Sequence, residues 1–125
     1  MTPAELQQLS IAALEDLKGV DVLSIDVSDR TTVTDWMVVA TGTSQRHVKS
    51  LANEVSEKAK AAGVRPLGVE GDGDADWVLV DLGDVIVHIM TRESRDFYSL
   101  EKLWSVTAAE RENDDTTPTD DAAAN

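Results

Sequence analysis

Trp77-Val78-Leu79-Val80-Asp81-Leu82-Gly83-Asp84-Val85-Ile86-Val87-His88-Ile89-Met90 consists of two apolar runs split by a Gly-Asp pair. A two-residue loop with glycine first suits the tight turn between antiparallel strands, so Trp77 to Leu82 and Val85 to Met90 are predicted as a hairpin. With Gly83 and Asp84 as the loop, Leu82 faces Val85, Val80 faces Val87 and Val78 faces Ile89. Side chains alternate along a strand, so these residues share one wholly aliphatic face, which is core. On the other face Asp81 lies across from Ile86, Leu79 from His88 and Trp77 from Met90. That mixture is too apolar for plain solvent and too polar for a uniform core; either another helix covers it or a partner does.

The flanking sequence supplies a sheet for the hairpin to join. Val64 to Glu70 reads as a weaker strand, which Pro66 pushes toward an edge because it cannot donate to a ladder. Trp36-Met37-Val38-Val39-Ala40 is a continuous apolar run, as expected of a central strand covered on both faces. Asp21 to Val27 alternates, with Leu23, Ile25 and Val27 on one side. Asp29 to Asp35 is polar and β-branched and is predicted as a loop.

Helices account for the rest of the folded part. Thr2-Pro3-Ala4-Glu5 has the order of a capping box, and Leu6, Leu9, Ala13 and Leu17 follow at helical spacing with Ile11 and Leu14 beside them. Gly19 is expected to close this helix in the left-handed conformation. After Thr41-Gly42-Thr43-Ser44 a second helix puts Val48, Leu51, Ala52, Val55, Ala59 and Ala62 on one face and ends at Gly63. Phe97, Leu100 and Trp104 indicate a last helix, with Arg95, Tyr98 and Lys102 on its other side and Glu101 nearby. That side is either solvated or continues the mixed hairpin face. The sum is an α/β protein with a single mixed β-sheet of about five strands and about three helices.

The chain has 125 residues and no cysteine, enough for one domain that stands without disulfides or thiolate metal sites. Residues 1–108 are expected to form the domain. From 109 to 125 the composition changes to Asp, Thr, Ala, Glu and Pro, which reads as an acidic disordered tail. Glu110, Glu112, Asp114, Asp115, Asp120 and Asp121 against Arg111 leave minus 5 there, so minus 8 of the formal minus 13 stays on residues 1–109. Such charge argues against a general nucleic-acid binder, leaves a local basic patch able to touch RNA, and makes a basic protein the natural partner. Acidity that serves solubility alone explains the charge as well. No apolar run approaches the ~18 residues that span a bilayer and no signal peptide opens the chain, so a soluble, cytoplasmic protein is expected.

Candidate chemistry is weak throughout. Glu70-Gly71-Asp72-Gly73-Asp74-Ala75-Asp76 resembles the opening of a calcium loop, but counting from Asp72 the sixth position is Trp77 instead of glycine and the twelfth is Gly83 instead of glutamate. Gly42-Thr43-Ser44 could cradle a phosphate on free helical N–H groups, as in nucleotidyltransferases, but such an enzyme needs metal-binding carboxylates on a following strand. Glu54 and Glu57 lie inside the second helix instead. The plainer reading is that Gly42 turns the chain and Thr43 or Ser44 caps the helix. His47 and His88 have no helical histidine partner, and a set of Ser44, His88 and Asp81 has no nucleophile elbow behind it. The expectation is a binding protein, not an enzyme, with no metal and no cofactor.

The residues from Asp35 to Ala40, Thr41-Gly42-Thr43-Ser44-Gln45-Arg46-His47-Val48, Gly68-Val69-Glu70-Gly71, Asp76 to His88, and Arg95-Asp96-Phe97-Tyr98-Ser99-Leu100-Glu101-Lys102-Leu103-Trp104 together resemble the ribosomal silencing factor, or iojap-like, family. The match covers nearly all of the folded part, and order and spacing make it specific although each piece alone is weak. The resemblance implies a fold related to nucleotidyltransferases without their catalytic carboxylates. It also implies binding to the fourteenth protein of the large ribosomal subunit, a basic protein on the face that meets the small subunit. Occupying that place would block subunit joining and lower translation under nutrient limitation. Carried onto this chain, Trp77, Met90 and Tyr98 are the expected apolar anchors, with Asp76, Asp81, Glu101, Arg92 and Arg95 as polar contacts at the rim and His88 as a weaker one. A homodimer of the free protein through the same face stays open, and no role carries over to the acidic tail.

Overall fold

The computed structural model describes residues 1–71 and 76–98, with Phe97 and Tyr98 described by backbone alone. Along the chain run α1 (Pro3–Asp16), β1 (Val20–Asp26), β2 (Trp36–Gly42), α2 (Gln45–Ala61), β3 (Gly68–Glu70), β4 (Trp77–Asp81), β5 (Val85–Thr91) and α3 (Arg92–Tyr98). The strands form one five-stranded sheet in the order β1-β2-β5-β4-β3. Only β2 and β5 pair in parallel; the other neighbours are antiparallel, so the sheet is mixed as expected.

The hairpin keeps the register its loop dictates, with Trp77 opposite Met90, Leu79 opposite His88 and Asp81 opposite Ile86. Gly83 sits at φ 89°, a conformation that a side chain would make costly, and its N–H donates to the Asp81 carboxylate at 2.9 Å. The loop also fixes β2. The Asp84 carbonyl accepts from Asp35 N–H at 2.9 Å and from Trp36 N–H at 3.0 Å, which sets the start of the parallel pairing between β2 and β5.

Both long helices cover the aliphatic face. Leu6, Ala13 and Leu14 of α1 and Val48, Leu51, Val55 and Ala59 of α2 meet Val38, Ala40, Val78, Val80, Val85, Val87 and Ile89 of the sheet in one buried cluster. Full burial of each large aliphatic side chain contributes about 1.5–3 kcal/mol, so this layer is the main source of stability. The capping box at α1 forms as predicted: Glu5 N–H donates to Thr2 Oγ1 at 3.1 Å and Thr2 N–H to Glu5 Oε1 at 2.9 Å. At the end of α2, Gly63 is left-handed, and bonds from Gly63 N–H to the Lys60 carbonyl and from Val64 N–H to the Ala59 carbonyl complete the cap.

Several local expectations need correction. Gly19 is not the left-handed residue after α1; Lys18 is, at φ 64°. Gly19 is required for a different reason, since a Cβ there would lie 2.9 Å from the Leu14 carbonyl oxygen, the acceptor of its own N–H. The strand after α2 is confined to three residues at the sheet edge, because Val64 is drawn into the helix cap and Pro66 cannot join the ladder. The last helix begins earlier than its apolar residues indicate, at Arg92. Leu100 and Trp104, the domain boundary near 108 and the acidic tail lie outside the described residues.

Candidate protein-binding surface

The sheet pairings place the second face in rows. Leu23, Val39, His88 and Leu79 form one row and Ile25, Met37, Ile86 and Asp81 the next, while Thr41, Met90 and Trp77 close the end nearest α3. Neither α1 nor α2 reaches this side. Met37, Val39 and Met90 are nevertheless buried, in a second cluster with Val27 on which Ile25 and Trp77 pack. Leu79, Ile86, His88, Asp81 and Trp77 are half-buried, and Leu23 is 38% exposed. The face therefore divides into a closed end and a middle with apolar surface within reach of a partner.

Trp77 and His88 are locked together in that middle. The indole Nε1–H donates to His88 Nδ1 at 3.0 Å, with the ring centroids 5.8 Å apart and the planes tilted by 49°. Nδ1 must then carry the lone pair, so the proton of the neutral imidazole is on Nε2. Burial between Val39 and Leu79 pushes the His88 pKa down to about 4. At neutral pH the side chain is an uncharged donor beside a large aromatic ring.

The closed end is made by α3. Arg95 is 5% exposed, and its guanidinium donates to the Thr41 hydroxyl at 2.9 Å and to the Asp21 carbonyl at 2.6 Å. Arg92, one turn earlier, pairs with the Asp21 carboxylate and lies 4.0 Å from Asp96. Asp21 itself sits at φ 50°, in the irregular stretch of β1 between Val20 and Leu23. The Arg92 guanidinium, by hydrogen bond first and charge second, holds the Asp21 carboxyl below its ordinary range.

Two residues expected at the interface are therefore interior. Met90 is fully buried, packed in one cluster with Val27, Met37 and Val39. Arg95 is not a rim contact, because its charge is spent on Thr41 and the backbone of Asp21. Asp81 and Asp76 are half-buried but already engaged: Asp81 accepts from the Gly83 N–H, and Asp76 from Gln45 Nε2 at 2.8 Å. Arg92 is half-exposed. Tyr98 is placed on α3 by its backbone, and Glu101 lies outside the described residues. Leu23 and Ile25, absent from the expected surface, extend these two rows onto β1. Their alternation was visible in the sequence, but not that β1 would lie beside β2.

The alternative chemistry finds little support in the geometry. Ser44 caps α2 by accepting from His47 N–H at 3.1 Å, and Thr43 N–H is taken by His47 Nδ1 at 2.9 Å, so donors that a phosphate would need are already used. A Cβ on Gly42 would lie 2.7 Å from Val48 Cγ2, which explains the glycine through close packing of α2 on β2. Ser44, His88 and Asp81 do not assemble as a relay, since Nδ1 of His88 faces Trp77 and Asp81 faces its own turn. Among the described residues no group of three or more His, Cys, Asp or Glu could hold a metal ion.

The chain is similar to proteins of one family. Residues 1–125 match the family model described as ribosomal silencing factor during starvation. A ribosomal silencing factor of Chromobacterium violaceum is 51% identical over 100 residues, 80% of this chain and 82% of the relative. A mouse protein called mitochondrial assembly of ribosomal large subunit protein 1 is 31% identical over 99 residues, 77% of this chain and 43% of the mouse protein. A crystal structure of a Chromobacterium violaceum protein superposes with a TM-score of 0.83 at 44% identity, covering 99% of this chain and 96% of that one. The family model spans the whole chain and the fold superposes on that crystal structure over nearly its full length, so the chain belongs to the ribosomal silencing factor family.

Proposed function

We propose that the protein represses translation without catalysis, by occupying the fourteenth protein of the large ribosomal subunit and sterically preventing the small subunit from joining when nutrients are scarce. The observation that carries this reading is the middle of the second sheet face. Leu23, Leu79, Ile86 and the Trp77–His88 pair form half-open apolar surface on an acidic protein, as suits a basic protein partner. Family membership supports the ribosome as target, and the mouse relative's name refers to the large subunit. Trp77 is the central anchor in this reading, and Tyr98 and Glu101 are further partner contacts. Arg92 lies half-exposed at the rim of that surface, paired with Asp21. The site of action is the cytoplasm.

The test is cosedimentation with purified subunits. The protein should travel with large subunits and not with small ones, and adding it before mixing should reduce joined ribosomes. Trp77→Ala should weaken binding by more than about 1 kcal/mol, as loss of an aromatic anchor does. Equal binding by the variant, with its fold intact by circular dichroism, would remove this surface from the interface. Binding to a second copy of the chain, seen as concentration-dependent size, would mean that the same face also closes a homodimer.

A further inference from the structure

We infer that Asp21 is a positioning residue for the partner-binding surface, a two-armed clasp that fixes α3 against the sheet. Three features carry it. Asp21 adopts φ 50°, a left-handed conformation that aspartate tolerates better than most side chains, in the irregular part of β1. That conformation turns its two acceptors to the same helix: the carboxylate to Arg92 and the main-chain carbonyl to Arg95, at 2.6 Å. Arg95 in turn reaches the Thr41 hydroxyl at 2.9 Å, so one residue of β1 and one of β2 hold successive turns of α3.

The clasp matters because it ties α3 to β1 and β2, strands far from it in sequence. The helix follows β5 without an intervening loop, so the start of its path is set by the strand and its tilt by contacts such as these. The surface proposed for the large subunit combines the hairpin face with side chains on this helix, so its shape depends on the angle between them. This inference rests on that reading of the function. It assigns Arg92 a role different from direct contact: the guanidinium acts mainly through Asp21. It also assigns a role to Asp21, which stands outside every family motif found in the sequence and is separated from Arg92 by 71 positions.

Asp21→Asn keeps a residue that tolerates the left-handed backbone and removes only the charge. Arg92→Leu removes the other half. With both half-exposed, the pair is worth little in stability, so each variant should melt close to the wild type while binding large subunits about two- to fivefold more weakly. The double variant should be no weaker than either single one, because both remove the same link. If Arg92 instead touched the partner directly, Asp21→Asn would bind equally well or more tightly while Arg92→Leu bound more weakly, and that result would overturn the inference. Amide hydrogen exchange on the free protein gives an independent readout. Faster exchange in residues 92–98 of Asp21→Asn, with β2 and the hairpin unchanged, supports the clasp, and unchanged exchange there overturns it. Wild-type protein that fails to sediment with large subunits would defeat the functional reading, and exchange alone would then decide the clasp.

Discussion

Acidification from pH 7 to pH 5 should destabilise this protein through a single side chain, His88. In the unfolded chain an imidazole titrates near 6.5, whereas in the fold burial holds His88 down to about 4. Between those values the unfolded state binds a proton that the native state refuses, so stability is fully present above the unfolded value and is lost as pH falls toward the folded one. Each pH unit in that window is worth about 1.4 kcal/mol, which limits the whole effect to about 3 kcal/mol and gives about 2 kcal/mol between pH 7 and pH 5. The Trp77 indole sharpens the penalty, since a proton on Nδ1 would meet a donor instead of an acceptor. Urea titrations followed by circular dichroism at the two pH values measure it. His88→Gln supplies the control, because a glutamine oxygen can still accept from Trp77 but cannot titrate. The wild type should lose about 2 kcal/mol more than the variant on acidification. Parallel losses in the two proteins would refute the assignment of His88 as a buried neutral donor.

Gly42→Ala should lower stability by about 1–3 kcal/mol in thermal melts, because its Cβ would press on Val48 Cγ2 at 2.7 Å and on Val48 N at 2.9 Å. Ser44→Ala should cost about 1 kcal/mol by leaving the His47 N–H without its capping oxygen, while Thr43→Ala, whose hydroxyl is exposed, should stay within about 0.5 kcal/mol. Raising the salt concentration from about 0.05 to 0.3 M should slow association with large subunits on the order of tenfold and leave dissociation nearly unchanged, as expected where acidic charge guides encounter with a basic partner. Stopped-flow measurement of both rates checks this, and a salt effect confined to dissociation would contradict steering.

The hairpin was legible because its information is local. A glycine-first loop fixes which residues face each other, and period-two alternation then assigns every side chain from Trp77 to Met90 to one of two faces. The helix ends were legible for a similar reason: the partners in the Thr2–Glu5 box and at Ser44 lie three residues apart. Gly19 and Gly42 were read as turn residues, and both are used for close approach instead. Sequence records that a side chain is absent, but not whether space or dihedral freedom requires its absence.

Burial on the second face was the part that local pattern could not supply. Met90 and Trp77 are directly opposed in the hairpin and look equally available in the sequence, yet Met90 is buried in a cluster while Trp77 is half-buried. Met90 packs with Val27, Met37 and Val39, which are distant in sequence, and Arg95 is likewise buried through Thr41 and Asp21, 54 and 74 positions away. An arginine beside a tyrosine on a short helix reads as an interface residue on composition alone. In the fold it is buried and bonded to Thr41 and Asp21, whereas the Trp77–His88 pair stays half-buried. The acidic residues at the two ends of β4 are also engaged: Asp81 accepts from the Gly83 N–H and Asp76, just before the strand, from Gln45, so each has an intramolecular bond that a partner must share or displace. Under the proposed function, apolar contact around Trp77 therefore has to provide most of the specific affinity, with acidic charge acting mainly on the rate of encounter.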